Sequence, residues 1–494
     1  MKRVVIAGSG NAALCAGIAA LEQGAEVLVL EKAGVDEAGG NSRYTAGAMR
    51  FAYQSREELL PLLRDPASAA LDRTDFGSYP RQDFAQDMSA LNDGKPLNYL
   101  QKILVDDSYD TMLWLSRHNI GFDPIYARQA FQKDGRYVFW GGLVLAAQGE
   151  GVGLVEAEMR EFLRLGGTIQ YDCECRELVA DDSGVCGVLC MSPAGEVTIR
   201  ADAVVLGCGG FEASKELRRR YMGEEWANAK VRGTPHNTGA GIEMAMAVGA
   251  DLYGRPDGCH AVPMDLHMPD FGNTELPFVE RKNYRKICYF LGLMLNAKGE
   301  RFVDEGENFR NYTYAQFGRE ILNQPQGFAW QLFDSKVDDL LYDEYRFAHV
   351  SFVEADTLVE LASRLEGVDA GRALKTIQVF NKAVDPANAF DPTILDGRCT
   401  RGLSVDKTNW ANRLDTPPFR AFPVTCGITF TYAGLHVDKN ARVLNRDGEN
   451  IPGLYACGEM IGGIFSAGYP GGSGLTSGAV FGRIAGRSAA RDRR

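Results

Sequence analysis

The sequence predicts an α/β protein in which a Rossmann-like domain is split by an inserted α+β lobe. Three observations carry this reading. The apolar run Val4–Ala7 enters a glycine turn, a helix of small residues and a second apolar run, Val27–Leu30, that ends in Glu31. Ala203–Leu206 repeats the pattern of a buried strand running into glycines, among them Gly209. After a long stretch of different composition, Gly453–Glu459 and a small-residue helix from about Leu475 to Ala490 return to the opening style. The expected organisation is therefore 1–235 and 426–494 for the split domain and 236–425 for the lobe.

The opening unit has the form G-x-G-x-x-A. Gly8 permits the tight turn, Gly10 lets backbone approach a pyrophosphate, and Ala13 allows close packing of helix on strand. Asn11 and Ala12 open a helix whose N-terminus faces the phosphates. Glu31, with Lys32 beside it, is spaced to hydrogen-bond a ribose diol. The alternative is an ordinary βαβ unit with a glycine turn.

Residues 51–135 are polar and read as mostly helical, with turn signals at Asp65-Pro66 and Asp93-Gly94. An amphipathic helix is expected over 154–166, stopped by Gly166-Gly167. Strand-like runs at 168–172, 185–191 and 197–200 suggest a β-meander. From residue 236 the chain is rich in Pro, Asn, Tyr and mixed charge, with one clear helix around 357–384.

The bulk numbers narrow the function. At 494 residues, 45% hydrophobic and 24% charged, the chain has the balance of a globular protein of two or three domains. A net charge of −12 argues against nucleic acid, which requires clustered Lys and Arg. No apolar run approaches the roughly 20 residues of a membrane span. Met1-Lys2-Arg3 leads straight into the first strand, so no secretory leader is expected and a cytoplasmic location follows. Eleven cysteines without a C-x-x-C pair read as free thiols in a reducing compartment. Neither a metal site nor an iron–sulfur cluster is expected in this chain.

Four motifs carry a resemblance across nearly the whole chain. They are the fingerprint with Glu31; Gly39-Gly40-Asn41-Ser42 followed by Thr45-Ala46-Gly47; Gly299–Glu305; and Gly458-Glu459 with the glycine loop and helix after it. Together they resemble the flavoprotein family of fumarate reductase and succinate dehydrogenase. The resemblance implies a GR2-type domain holding FAD. The absence of histidine from the 39–48 loop implies non-covalent attachment. Glu459 would hold ribityl or ribose hydroxyls. Ser473, Gly474, Leu475 and Thr476, opening the last helix, would stabilise negative charge at the flavin N1–C2=O edge.

The resemblance also implies catalytic roles. Arg301 would exchange a proton with substrate opposite flavin N5, held by Asp304 and Glu305; the bland reading is a salt bridge at an interface. His260 occupies the region where relatives place a substrate-binding histidine, or is structural. His236 and Thr238, in a loop like T-G-D-G with Ala240 where the aspartate is usual, would grip an anionic substrate. Arg281, Lys282, Arg285 and Lys286 form a basic cluster, either a carboxylate site or a solvated face.

Two departures from fumarate reductase bear on substrate. Its catalytic histidine is replaced within Gly427–Gly434, which leaves Thr429, Thr431 and Tyr432 on the substrate side. Its clamping arginine is replaced within Ala467–Gly474. Gly427–Tyr432, the 39–51 loop and Tyr469–Leu475 are most similar to the FAD-dependent tricarballylate dehydrogenase branch, which forms cis-aconitate. Tyr469-Pro470-Gly471 is also similar to 3-ketosteroid Δ1-dehydrogenases, so Tyr469 is either an electrophile or a packing residue. The expectation is desaturation of a carbon–carbon bond beside a carboxylate or carbonyl of a small carboxylic acid. An iron–sulfur or membrane-associated partner would accept the electrons. A cyclic-ketone desaturase, a fumarate-reductase-like enzyme and a non-catalytic flavin protein are the alternatives.

Overall fold

The computed structural model describes residues 1–272, 276, 281 and 284–492. Its first unit follows the sequence pattern: β1 (Arg3–Ala7), α1 (Asn11–Leu21) and β2 (Glu26–Leu30) form a parallel βαβ turn, with Ile6 opposite Val29. The apolar strand residues are almost fully buried, as a parallel strand covered on both faces must be. The sheet has six strands in the order 442–444, 450–456, 203–206, β1, β2, 168–170. Three distant stretches of sequence thus share one sheet, and Ala203–Leu206 sits between β1 and Asn450–Ala456.

The amphipathic helix spans Glu150–Arg164, and the meander is built from Glu174–Asp181, Gly184–Ser192 and Gly195–Arg200. Gly17 admits the Phe162 ring, which a Cβ there would meet at 2.6 Å. Two expectations change. The 51–135 stretch has two long helices, Arg81–Ala90 and Tyr99–Arg117, but also strands that pair into two small sheets. The helix expected at 357–384 is two, Leu358–Arg364 and Ala370–Ala383. Gly367 at φ 74° turns the chain between them, and Asp369 caps the second by accepting from the Arg372 amide.

The lobe is organised by β3 (Cys259–Asp265), α2 (Arg310–Leu322) and β4 (Phe419–Thr431). β4, 13 residues long, lies at the centre of a sheet ordered 230–231, β4, 328–334, 293–296, and also pairs antiparallel with β3. His260 faces Phe430 but Ala261 faces Ile428, so Thr429 is the extra residue of a β-bulge. Such a bulge re-aims side chains at the point where it interrupts the ladder. α2 lies close on β3 because Gly318 has no Cβ; one there would be 2.5 Å from the Ala261 carbonyl carbon.

The last helix, α3 (Ser473–Arg491), packs along α1 through a row of glycines. Cβ atoms at Gly482 and Gly486 would stand 2.4 Å from the Ala12 oxygen and 2.0 Å from the Ala16 oxygen. Spaced four apart, they lie on one face of the helix. Among the described residues no helix is long and apolar enough to cross a membrane. Gly486→Ala should cost about 1–3 kcal/mol by overpacking, although Ala for Gly in a free helix would gain up to about 1 kcal/mol. A thermal melt decides: an unchanged or raised Tm refutes the backbone contact.

Candidate active site

The glycine turns after β1 and after Ala203–Leu206 face each other across the head of the sheet and enclose an elongated cavity of about 940 Å³. Gly8 adopts φ 97°, and a Cβ there would stand 2.6 Å from the Gly207 oxygen. Only glycine permits both the turn and that approach. Gly10, Asn11 and Ala12 line the cavity at the start of α1, and the Asn11 amide donates to Ser42 Oγ at 3.1 Å. Glu31 is 7% exposed at the cavity wall. One of its oxygens accepts from the Ala33 amide at 2.8 Å and the other from Ser9 Oγ.

Asn41 ties three segments together. Its Nδ2 donates to Glu212 Oε1 and to the Thr429 carbonyl, both at 2.7 Å, and its Oδ1 accepts from the Thr234 amide at 2.8 Å. Glu459 Oε1 accepts from the Thr431 amide at 2.6 Å. Burial, with Glu459 beside it, pushes the Glu212 carboxyl well up, and its Oε2 has no partner among the described residues. A cavity walled by glycine backbone, with the Glu31 carboxylate and the N-terminus of α1 in its lining, fits an adenine dinucleotide.

Asn11, Ala12, Asn41, Ser42 and Glu459 also line a second cavity, of about 1310 Å³, which continues the first toward the lobe. One side is aromatic: Tyr314 on α2 and Tyr469 are joined hydroxyl to hydroxyl at 2.7 Å, and Tyr469 Oη accepts from the Gly472 amide at 3.1 Å. Ring centroids of Tyr314 and Tyr469 stand 4.9 and 4.7 Å from that of His260. His260 is 2% exposed, and both its ring nitrogens lack a hydrogen-bond partner among the described residues. Burial, with Arg232 and Arg285 nearby, holds its pKa well below the usual value, so the imidazole is neutral.

The other side is cationic: Arg128, Arg232, Arg285 and Arg310 all line it. Arg128 and Arg285 share the buried carboxylate of Glu344, the former at 2.9 Å. Burial raises the Glu344 pKa, but Arg285 and Arg128 outweigh it and hold the carboxyl at about 2. Burial lowers Arg285 to about 9, still a cation at neutral pH. Arg310, at the start of α2, donates from Nε to Tyr342 Oη at 2.6 Å and from Nη2 to the Arg128 carbonyl at 2.8 Å. An acidic protein thus turns a strongly positive face into this one cavity.

The structure distributes the sequence-predicted residues unevenly. Gly8, Gly10, Glu31, Lys32, Gly40 and Gly209 line the first cavity. Thr45, Ala46, Gly458, Gly474, Leu475, His260, Thr429, Thr431, Tyr432 and Tyr469 line the second. Ala13, Gly39 and Gly47 lie behind the wall: Ala13 packs on Gly207, the Gly39 amide donates to Ser9 Oγ, and the Gly47 carbonyl accepts from the Ala147 amide.

Two expectations need correction, and a third, at the start of α3, is narrowed to two residues. Arg301 does not reach either cavity; its Nε donates to Glu305 Oε1 at 3.1 Å, the rest of its fork to Glu305 Oε2 and the carbonyls of Val303 and Val405, and it stacks over Phe380. That is the salt-bridge reading. Ser473 and Thr476 turn their hydroxyls back to the Pro470 and Gly472 carbonyls, which leaves Gly474 and Leu475 at the cavity. His236 and Thr238 line the first cavity and not the second.

Of the basic cluster, Arg285 alone lines the second cavity. Arg281 pairs with Glu37 at 2.8 Å, and buried Lys286 donates to the Glu344 carbonyl at 3.0 Å; Lys282 lies outside the described residues. Sequence reasoning missed Arg128, Arg232, Arg310 and Tyr314. Arg310 had a signal: it follows Arg301 by nine residues and opens a helix. The others had none.

Residues 3–475 match the model of the family described as FAD binding domain. The chain is similar to the NADH:acrylate oxidoreductase of Vibrio harveyi, 27% identical over 98% of this chain and 50% of that protein. To the fumarate reductase (cytochrome) of Shewanella frigidimarina it is 26% identical over 99% of this chain and 77% of that one. The 4-oxocyclohexanecarboxylate 2-dehydrogenase of Sinomonas cyclohexanicum is 27% identical over 99% and 92%. In fold it resembles the 3-ketosteroid Δ1-dehydrogenase from Sterolibacterium denitrificans, with a TM-score of 0.74, 19% identity and coverage of 99% and 100%. The chain therefore spans 50% of the first of these curated relatives, and 77% and 92% of the other two.

Removing the charge of Glu344 leaves Arg128 and Arg285 facing each other, so Glu344→Gln should cost about 3–5 kcal/mol at neutral pH. The depressed pKa gives the sign. The stabilisation is complete above the unfolded carboxylate value of about 4.3 and is lost as pH falls toward about 2. Denaturant melts from pH 7 to 2 should show the gap between wild type and variant closing below about pH 4; a gap independent of pH refutes the ion pair.

Proposed function

The chain belongs to the FAD binding domain family and carries FAD, and from that premise we propose that it is a dehydrogenase that desaturates a carbon–carbon bond beside a carboxylate. A tricarballylate-like polycarboxylate is the substrate class and a cis-aconitate-like alkene the product. The observation that supports this most is the cationic wall: four arginines around one cavity, with Glu344 as the carboxylate bound to two of them. Relatives named for fumarate, acrylate and 4-oxocyclohexanecarboxylate act on carboxylic acids, which agrees with that wall.

FAD, when bound, supplies a two-electron acceptor for hydride. The first cavity holds the dinucleotide through the backbone at Gly8 and Gly10 and the carboxylate of Glu31. In the second, Arg310 with the Arg128–Arg285 pair grips the carboxylate beside the bond to be broken and acidifies the adjacent C–H. A guanidinium keeps its proton, so the proton passes to His260, the neutral group there with both ring nitrogens unpartnered. A separate electron carrier, iron–sulfur or membrane-associated, restores the cofactor.

Tyr314 and Tyr469 favour a second reading. Two linked hydroxyls, one also accepting from the Gly472 amide, form a site that polarises a ketone oxygen. Anaerobic addition of tricarballylate, succinate, cyclic ketones or 3-ketosteroids to the yellow holoprotein separates the readings. Bleaching by a polycarboxylate is expected; bleaching only by ketones overturns the proposal in favour of the tyrosine pair. His260→Asn should keep FAD and lower turnover by about 100-fold or more. Near-normal turnover in that variant removes His260 from the chemistry.

A further inference from the structure

We propose that Arg232 forms a second anion subsite in the substrate cavity, one that takes a carboxylate remote from the bond being broken. It rests on the polycarboxylate reading above and sharpens it: the substrate carries at least two carboxylates, held by different arginines.

The contrast among the four arginines carries the inference. Arg128 and Arg285 have Glu344, and Arg310 donates to Tyr342 and to the Arg128 carbonyl. Arg232 is 6% exposed and lines the same cavity, yet among the described residues its guanidinium has neither an ion pair nor a hydrogen bond. Its backbone is fixed, since it follows the strand Lys230–Val231 and its amide donates to the Ile428 carbonyl at 2.7 Å. A buried charge without a counterion is strongly destabilising, and the fold keeps one here, anchored and facing open space.

Arg232 does not stand alone. Thr429 Oγ1 and Tyr432 Oη, both buried in the wall of that cavity, also lack partners. Thr429 is the extra residue of the bulge, so the irregularity in β4 coincides with the unsatisfied group. A guanidinium and the hydroxyl of Thr429, the residue after the Ile428 that holds the Arg232 amide, can together satisfy one carboxylate. A ketone or a monocarboxylate engaged at Arg310 would leave both as they are.

The test uses the FAD-loaded protein. Tricarballylate, citrate and the monocarboxylate butyrate are titrated anaerobically into wild type, Arg232→Gln and Arg232→Lys, and binding is read from perturbation of the flavin spectrum. FAD content and thermal melts establish that each variant is folded. Arg232→Gln should weaken both polycarboxylates by about tenfold or more and leave butyrate unchanged. Arg232→Lys should lose less, because it keeps the charge without the fork. If Arg232→Gln fails to retain FAD, a selective polycarboxylate loss in Arg232→Lys supports the subsite.

Equal binding of polycarboxylates by wild type and Arg232→Gln overturns the subsite and leaves the polycarboxylate reading standing. A parallel loss of butyrate also overturns it, since Arg232 would then shape the cavity as a whole. If wild type binds no polycarboxylate, the functional reading and the subsite fall together.

Discussion

One strand has to serve two bodies at once, and the site is built around that constraint. β4 is the centre of the lobe sheet over most of its length, yet its last residues form a wall of the second cavity. The Thr429 carbonyl is held by Asn41 and the Thr431 amide by Glu459, so the strand end is fastened to the glycine loops. The groups of the second cavity are placed from this fixed end. His260 hangs from the paired β3, Arg232 leaves the edge strand beside Ile428, and Tyr314 is set by α2 lying close on β3.

Electrostatics explains why this cavity is unusual for the chain. The protein is acidic overall, with a net charge of −12, and its exposed cations mostly sit beside exposed carboxylates. Such surface pairs are weak. In the cavity the charged groups are buried, so they interact more strongly and over longer range, and leaving one unmatched is costly. Glu344 matches two arginines. The neutrality of His260 is the response of a titratable group to burial first, and then to the neighbouring Arg232 and Arg285.

The split βαβ architecture was legible because backbone requirements are local. Gly8, Gly10 and Glu31 act through turn geometry and short spacing, and those survive in a one-dimensional reading. The meander and the helix stopped by Gly166-Gly167 were legible for the same reason. The second cavity was not, because its chemistry is assembled from residues separated by tens to hundreds of positions. Arg128, Arg232 and Tyr314 have neighbours in sequence that carry no sign of their neighbours in space. Arg301 and Arg310 show the limit most clearly. Both belong to one short stretch, and only the beginning of α2 turns one toward the cavity while Glu305 retains the other. His236 shows the same limit: which of two adjoining cavities its loop faces depends on the fold of the whole turn.

The glycine row between α1 and α3 has a mechanical consequence. α1 begins at the phosphate end of the channel and α3 begins at the substrate end, and their backbones are in direct register through Gly482 and Gly486. The two helices therefore behave as a single strut, and the span between the two ends of the cofactor is set by that strut. The second cavity, by contrast, is bracketed by the strut and by the lobe, which is tied across through Arg310 to the Arg128 carbonyl, Arg128 to Glu344 and Tyr314 to Tyr469. A change in those side-chain ties reshapes the second cavity, whereas the strut keeps the glycine-walled ends of the first at a fixed spacing.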